Sequence, residues 1–291
     1  MSRGGSARSS RRYGAVALVV LVVLAGCTSF GVGGGDGGAR TVNPALAETP
    51  TATATPTGGF PAGVSPAGVD VEAMIDAHRA ALANGSWTVS LNRTVVGLDG
   101  EVERSSARVL VDGNRSLYTF ERVRGDNRLA NAHWRNGTAA ASKRVSWRGD
   151  VTLDGRPRDA GGPAGLDPTG GAWLYAASVD TRPSYAGVEV TPNGTVTLIE
   201  AAEGRIERSG LPDRRQVRLS ARVDERGVVR SLSLRYEVFL GNEPGSVTLS
   251  LRTTNVGSTT VPRPEWVDRA LANATVDDPG DGSTPGAADD D

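Results

Sequence analysis

The chain has 291 residues, of which 32 are basic and 33 acidic, with two histidines and a single cysteine. That balance excludes the basic surface a nucleic-acid binder needs, and two histidines beside one cysteine exclude a zinc set of ligand spacing. Lys143 is the only lysine.

Arg3, Arg8, Arg11 and Arg12 precede eleven apolar residues, Ala15 to Ala25, and the run closes on small residues. Charged region, apolar region and processing site stand in the order of a secretory signal. Eleven residues fall short of the roughly 20 that a membrane-spanning helix requires, so residues 1–26 are expected to leave on export. Leu24-Ala25-Gly26-Cys27 resembles the lipobox of secreted lipoproteins. That resemblance implies a lipid on the Cys27 sulfur and a mature chain that begins there. One acyl chain holds a protein only marginally and two hold it stably, so a two-chain lipid is expected. Ser10-Arg11-Arg12-Tyr13 resembles a twin-arginine export signal. The chain continues with Gly14-Ala15 where that pattern carries an aromatic residue and a leucine, which leaves the route open between the twin-arginine and Sec pathways.

Past Cys27, 264 residues remain, enough for one large β domain or two small ones. Four basic and no acidic residues precede Cys27, so the mature balance is −5. The arginine bias and Asp-rich tail resemble exported proteins of halophilic archaea. Asn-X-Ser/Thr sequons stand at Asn84, Asn92, Asn114, Asn136, Asn193 and Asn273, candidate glycan sites in an exported chain.

Residues 27–68 show no hydrophobic periodicity. Gly-rich and Thr/Ala/Pro-rich, they read as a disordered tether. Asp70 reads as an N-cap, followed by Val71, Met74, Ile75, His78, Ala81 and Leu82 at helical spacing up to Asn84-Gly85. His78 lies on that apolar stripe and is expected to be packed and hydrogen-bonded. From Trp87 the period becomes two, Val89 and Leu91 facing one way and Ser90 and Asn92 the other. Asp99-Gly100, Asp112-Gly113, Asn136-Gly137, Asp154-Gly155 and Asn193-Gly194 read as hairpin turns, as do Arg124-Gly125-Asp126 and Arg148-Gly149-Asp150. Ala172 to Val179 reads as a short helix containing Trp173. A three-stranded antiparallel meander follows, with Val217 to Val223, Leu232, Leu234, Tyr236 and Val238, then Val247, Leu249 and Leu251 sharing an apolar face. Its turns fall at Asp224 to Gly227 and Gly241 to Gly245. A last helix starts at Pro264-Glu265-Trp266.

These elements predict a mainly β (α+β) fold: one large curved antiparallel sheet, a half-barrel-like meander, packed on an N-terminal helix and one or two short helices. A single β-rich domain is expected over 69–272, with an acidic disordered tail over 273–291. The order of helix and meander resembles the lipoprotein-carrier (LolA-like) fold of bacterial envelopes and mycobacterial surface lipoproteins of the LppX and LprG type. The lipobox, the Thr/Pro tether, Asn84-Gly85-Ser86-Trp87, Val223-Asp224-Glu225-Arg226-Gly227-Val228-Val229 and Arg263-Pro264-Glu265-Trp266-Val267 together look like uncharacterised surface lipoproteins of halophilic archaea.

No Gly-X-Ser-X-Gly elbow, His-Glu-X-X-His or Walker loop occurs, and no catalytic residue, metal or cofactor is expected. A hydrolase built on His133 would need a serine or carboxylate converging on it; edge-strand packing is the expectation. One apolar sheet face served by three short helices predicts a cavity suited to a lipid, lined by Trp87, Val89, Leu91, Trp173, Leu232, Leu234, Tyr236, Val247 and Leu249. The expected protein is an exported, non-enzymatic binding lipoprotein held on the outer face of the cell membrane by Cys27. The alternative is a glycosylated structural or interaction lipoprotein, with envelope or surface-layer proteins as partners.

Overall fold

Asp70 closes the first turn of helix α1 (Val71–Leu82), its Oδ1 accepting from the Ala73 amide at 3.0 Å. A side-chain acceptor here satisfies one of the amides a helix leaves open at its start. The structure is a computed structural model, and it describes residues 59–97, 100–156, 167–192, 194–206, 213–240 and 243–276. The signal, Cys27, most of the tether, Asn193 and the tail beyond 276 lie outside the described residues.

The tether reading reaches too far. Strands β1 (Val64–Ser65) and β2 (Gly68–Val69) pair antiparallel before α1. Val64 is buried, and Phe60 meets Tyr185 edge-on at 5.0 Å. Two apolar residues among glycine and proline are too sparse to show a period, yet they anchor this segment to the folded body.

After α1 the chain runs through β3 (Ser86–Val96), β4 (Val102–Asp112), β5 (Arg115–Arg124), β6 (Asn127–Arg135), β7 (Ala140–Val145) and β8 (Val151–Arg156). Helix α2 (Gly171–Ser178) follows, then β9 (Ser184–Thr191), β10 (Gly194–Ile206), β11 (Arg214–Asp224), β12 (Val229–Leu240), β13 (Glu243–Thr254) and helix α3 (Trp266–Val276). The second strand group carries five strands, two more than the predicted meander. β3 to β13 form one 11-stranded sheet ordered β8-β7-β6-β5-β4-β3-β13-β12-β11-β10-β9, antiparallel throughout. Two meanders are therefore sewn together along β3 and β13, and the mainly β architecture with few helices agrees with the expectation. Among the described residues no helix is long and apolar enough to cross a membrane.

Several turns are placed differently from the sequence reading. Asp112 pairs with Arg115, so the β4–β5 turn consists of Gly113 and Asn114, with Gly113 at φ +57 supplying the positive angle. Asp154 and Gly155 are not a turn at all but lie inside β8. Pro244 and Gly245 belong to the β12–β13 ladder and not to that turn. At the C terminus α3 runs to Val276, four residues past the predicted domain end.

The sheet is cored on both faces. On one face, α1 and α2 bury Met74, Ile75, Leu82 and Leu174 against Val89, Leu91, Val223, Leu232 and Leu251. On the other, α3 sets Val267 and Ala270 against Leu117, Trp134 and Ala141. Pairing confirms the change of side: Trp134 stands opposite Leu117 and Ala141, whereas its neighbour His133 stands opposite Tyr118 and Ser142. The C-terminal helix therefore leaves the face it was expected to cover.

The loop before α2 locks the first core together. Asp167 accepts from Thr169 N at 3.0 Å, Ala172 N at 3.1 Å and Arg79 Nε at 3.0 Å. Burial pushes its carboxyl upward, but hydrogen bonds from the Thr169 hydroxyl, Arg79 and the Thr169 amide, with the Arg79 charge, outweigh burial and hold it below its ordinary value. Trp87 donates Nε1–H to the Pro168 carbonyl at 3.2 Å. Trp87→Phe keeps most of the ring volume and removes that donor, so it is expected to lower stability by about 1 kcal/mol, read from the urea midpoint at unchanged slope.

Candidate functional site

The residues predicted to line a cavity form a filled core instead. Trp87, Val89, Leu91, Leu232, Leu234, Tyr236, Val247 and Leu249 are each at most 6% exposed and belong to one packed cluster, with Trp173 half-buried against it. The wall of a chamber wide enough for an acyl chain would retain accessible surface. Sequence patterning shows that these positions face inward; it does not show how completely α1 and α2 fill the space above them.

His78 is fully buried, and both its ring nitrogens are used: Nδ1 accepts from the Val229 amide at 3.1 Å, and Nε2–H donates to the Thr169 carbonyl at 2.9 Å. These partners fix a neutral tautomer, and burial lowers its pKa despite the Thr169 bond. With no free lone pair His78 is a bracket between α1, the α2 loop and β12, as expected of a packed histidine.

His133 lies in a cross-strand row on the same face, Tyr118 on β5, then His133, Ser142 and Asp154 on β6, β7 and β8. A hydrolytic triad orders its members acid, histidine, nucleophile. Here Ser142 stands between Asp154 and His133. Burial, followed by the Arg144 charge, lowers the His133 pKa, the reverse of what an orienting carboxylate does. Tyr118 stacks on His133 with centroids 6.0 Å apart, and burial raises its hydroxyl to about 12. The row reads as packing at the core margin. Beside it, Glu103 receives Arg93 Nη1 at 3.2 Å and Arg122 Nη2 at 2.5 Å, a mostly buried cluster of two guanidiniums on one carboxylate. Among the described residues no group of three His, Cys, Asp or Glu side chains is placed to hold a metal ion.

The opposite face carries a groove of about 460 Å³. Its floor is set by register. Ser90, Arg108, Thr119, Ala132 and Lys143 stand side by side across β3 to β7, and Asn92, Ser106, Glu121, Ala130 and Val145 form the adjoining row. Small side chains at Ser106, Thr119, Ala130 and Ala132 leave a trough between longer ones, and Trp266 at the start of α3 closes it on the β7 side. Ser90, Asn92 and Arg108 form the β3–β4 end, and the β6–β7 end sets Ala130, Ala132, Val145 and Trp266 beside the charged Arg128 and Lys143. Within it Glu121 and Arg128 pair at 2.6 Å. Apart from Asn92, read as a candidate glycan site, the sequence reading singled out none of these groove residues as a site. The available signal was the pair of alanines at alternate positions of β6, which leaves a gap on a face otherwise edged by arginine and lysine.

Of the sequons, Asn84, Asn92, Asn114 and Asn273 are exposed. Asn136 is half-buried, its Oδ1 accepting from Thr138 N, Thr138 Oγ1 and Ala139 N to shape the β6–β7 loop.

No family model matches the chain, and no curated protein matches it. Among solved structures, a LolA superfamily protein from Nitrosomonas europaea is similar at 11% identity, over 67% of this chain and 96% of that one, with a TM-score of 0.25. A DUF1329 family protein from Desulfovibrio piger is similar at 11% identity, over 70% of this chain and 98% of that one, again with a TM-score of 0.25. Scores of this size carry no argument about function, which rests on the groove itself.

Proposed function

We propose that the protein is an exported, lipid-anchored binding module of the cell surface, and that it holds an amphipathic ligand in the groove beneath Trp266. The export and anchoring part is supported by the basic leader, the eleven-residue apolar run and Leu24-Ala25-Gly26-Cys27. The binding part is carried by the groove's volume, which falls within the range of about 300 to 1,000 Å³ typical of ligand sites, and by a lining that sets apolar Ala130, Ala132, Val145 and Trp266 beside polar and charged groups. A wholly apolar ligand would leave Ser90, Asn92 and Arg108 covered and unmatched; an amphiphile satisfies both ends.

Two measurements test the two parts. In detergent phase separation the protein from its own cells is expected in the detergent phase and Cys27→Ser in the aqueous phase; equal partitioning would end the anchor reading. The full chain carrying Cys27→Ser is then titrated with N-phenylnaphthylamine, an uncharged dye that brightens in apolar sites. Saturable binding is expected, weakened about tenfold or more by Ala132→Phe, which fills the trough with an aromatic ring. Unsaturable binding, or an unchanged affinity in Ala132→Phe, would remove the groove as the ligand site.

The exposed sequons support a second reading, a glycosylated interaction lipoprotein. Glycopeptide mapping that finds Asn92 occupied would favour it, because a glycan there stands at the polar end of the groove.

A further inference from the structure

We infer that the groove's ligand is an anion whose oxyacid head, a carboxylate or a phosphate, seats on Arg108. The inference deepens the amphipathic-ligand reading and rests on it. Four charged side chains reach the groove: Arg108, Glu121, Arg128 and Lys143. Glu121 and Arg128 neutralise each other. Arg108 and Lys143 have no ion-pair partner among the described residues, so the groove carries two positive charges that no described carboxylate answers.

Arg108 is exposed and occupies the polar end, opposite Ser90 on one side and Thr119 on the other. Its planar fork of N–H donors matches two oxygens of a carboxylate or phosphate, and the hydroxyls of Ser90 and Thr119 stand beside it in the same row. Lys143 lies three strands away, about 14 Å at about 4.8 Å per strand, too far to hold the same head. Its neighbours Ala132 and Val145 and the nearby Trp266 supply apolar surface. Lys143 therefore adds to the positive field at the tail end without building a second head site. A neutral amphiphile seated here would cover the Arg108 guanidinium and strip its water without supplying a counter-charge, a cost that an anionic head removes.

The experiment uses the same full chain carrying Cys27→Ser, loaded with N-phenylnaphthylamine, and compares displacement by dodecanol, dodecanoate and dodecyl phosphate below their micellar concentrations. Dodecanoate or dodecyl phosphate is expected to displace the dye at a concentration about fivefold or more below that of dodecanol, the effect of one exposed ion pair, and whichever anion is stronger identifies the head chemistry. Arg108→Gln, at an exposed position, is expected to erase that advantage by bringing both anions level with dodecanol. Equal displacement by dodecanol and both anions overturns the inference while leaving the groove as an apolar ligand site. Persistence of the anion advantage in Arg108→Gln overturns it too, and failure of the dye to bind removes the site reading and this inference together.

Discussion

Replacing His78 by alanine is expected to destabilise the protein by about 4 kcal/mol, seen as a lower denaturant midpoint. The histidine is fully buried and joins two backbone groups that have no water to turn to, the Val229 amide and the Thr169 carbonyl. Stranding a buried polar group costs about 1–3 kcal/mol each, and the missing ring adds a cavity term. His78→Phe restores most of the volume but neither bond, and should recover only the cavity part. Acid acts on the same residue. An unfolded His78 takes up a proton near its ordinary value of 6.5, whereas burial holds the folded ring neutral to lower pH. Unfolding therefore absorbs a proton in the window below about 6.5. Stability from this source is complete above that value and is lost as pH falls towards the depressed folded pKa. His133 has the same sign of shift, so part of the acid slope should persist in His78→Phe. A pH–stability profile that is as steep in His78→Phe as in the parent, or an unchanged midpoint, would exclude the bracket.

Legibility in the sequence followed the strength of the alternation. β11, β12 and β13 alternate cleanly between Leu, Val and Tyr on one side and Ser, Arg and Glu on the other, so their common face could be read directly. α1 was legible because its cap and stripe agree. β6, β7 and β8, with the sequences NRLANAHWR, AASKRV and VTLDGR, alternate weakly, since alanine and glycine stand where a core face normally has branched residues. Those small residues are small for packing reasons: Ala130 and Ala132 make room for the groove, Ala141 and Gly155 for α3. A pattern search that scores hydrophobicity sees only a weak strand there and misses both the groove and the second core. The cavity failed for a different cause. Inward-facing residues are a property of each strand, but whether a void remains above them depends on where the helices end up.

Gly155 shows how a single position misled the reading, and it carries the second large effect. Next to Asp154 it resembles a turn, yet it sits in β8 at the end of the cross-strand row Leu117, Trp134, Ala141, Gly155. From Trp134 onward that row steps down in size, and α3 closes in over its small end. A Cβ on Gly155 would lie 2.3 Å from the Ala270 carbonyl oxygen and 2.8 Å from the Leu271 Cα, both backbone atoms that no rotamer change can move. Glycine is required here for close approach, not for a positive φ. Gly155→Ala is therefore expected to lift α3 from the sheet, at a cost of about 3 kcal/mol or more because the whole helix must shift. Trp134, Val267 and Ala270, now buried, would become solvent-accessible. The measurements are tryptophan emission, which should move to longer wavelength, and amide exchange, which should accelerate across α3 while β11 to β13 stay protected. The groove shares Trp266 with this helix, so dye binding should weaken in the same variant although no floor residue has changed. A Gly155→Ala protein with native exchange in α3 would mean that the helix does not pack this closely on β8, and would detach the groove's apolar wall from the fold that is proposed to hold it.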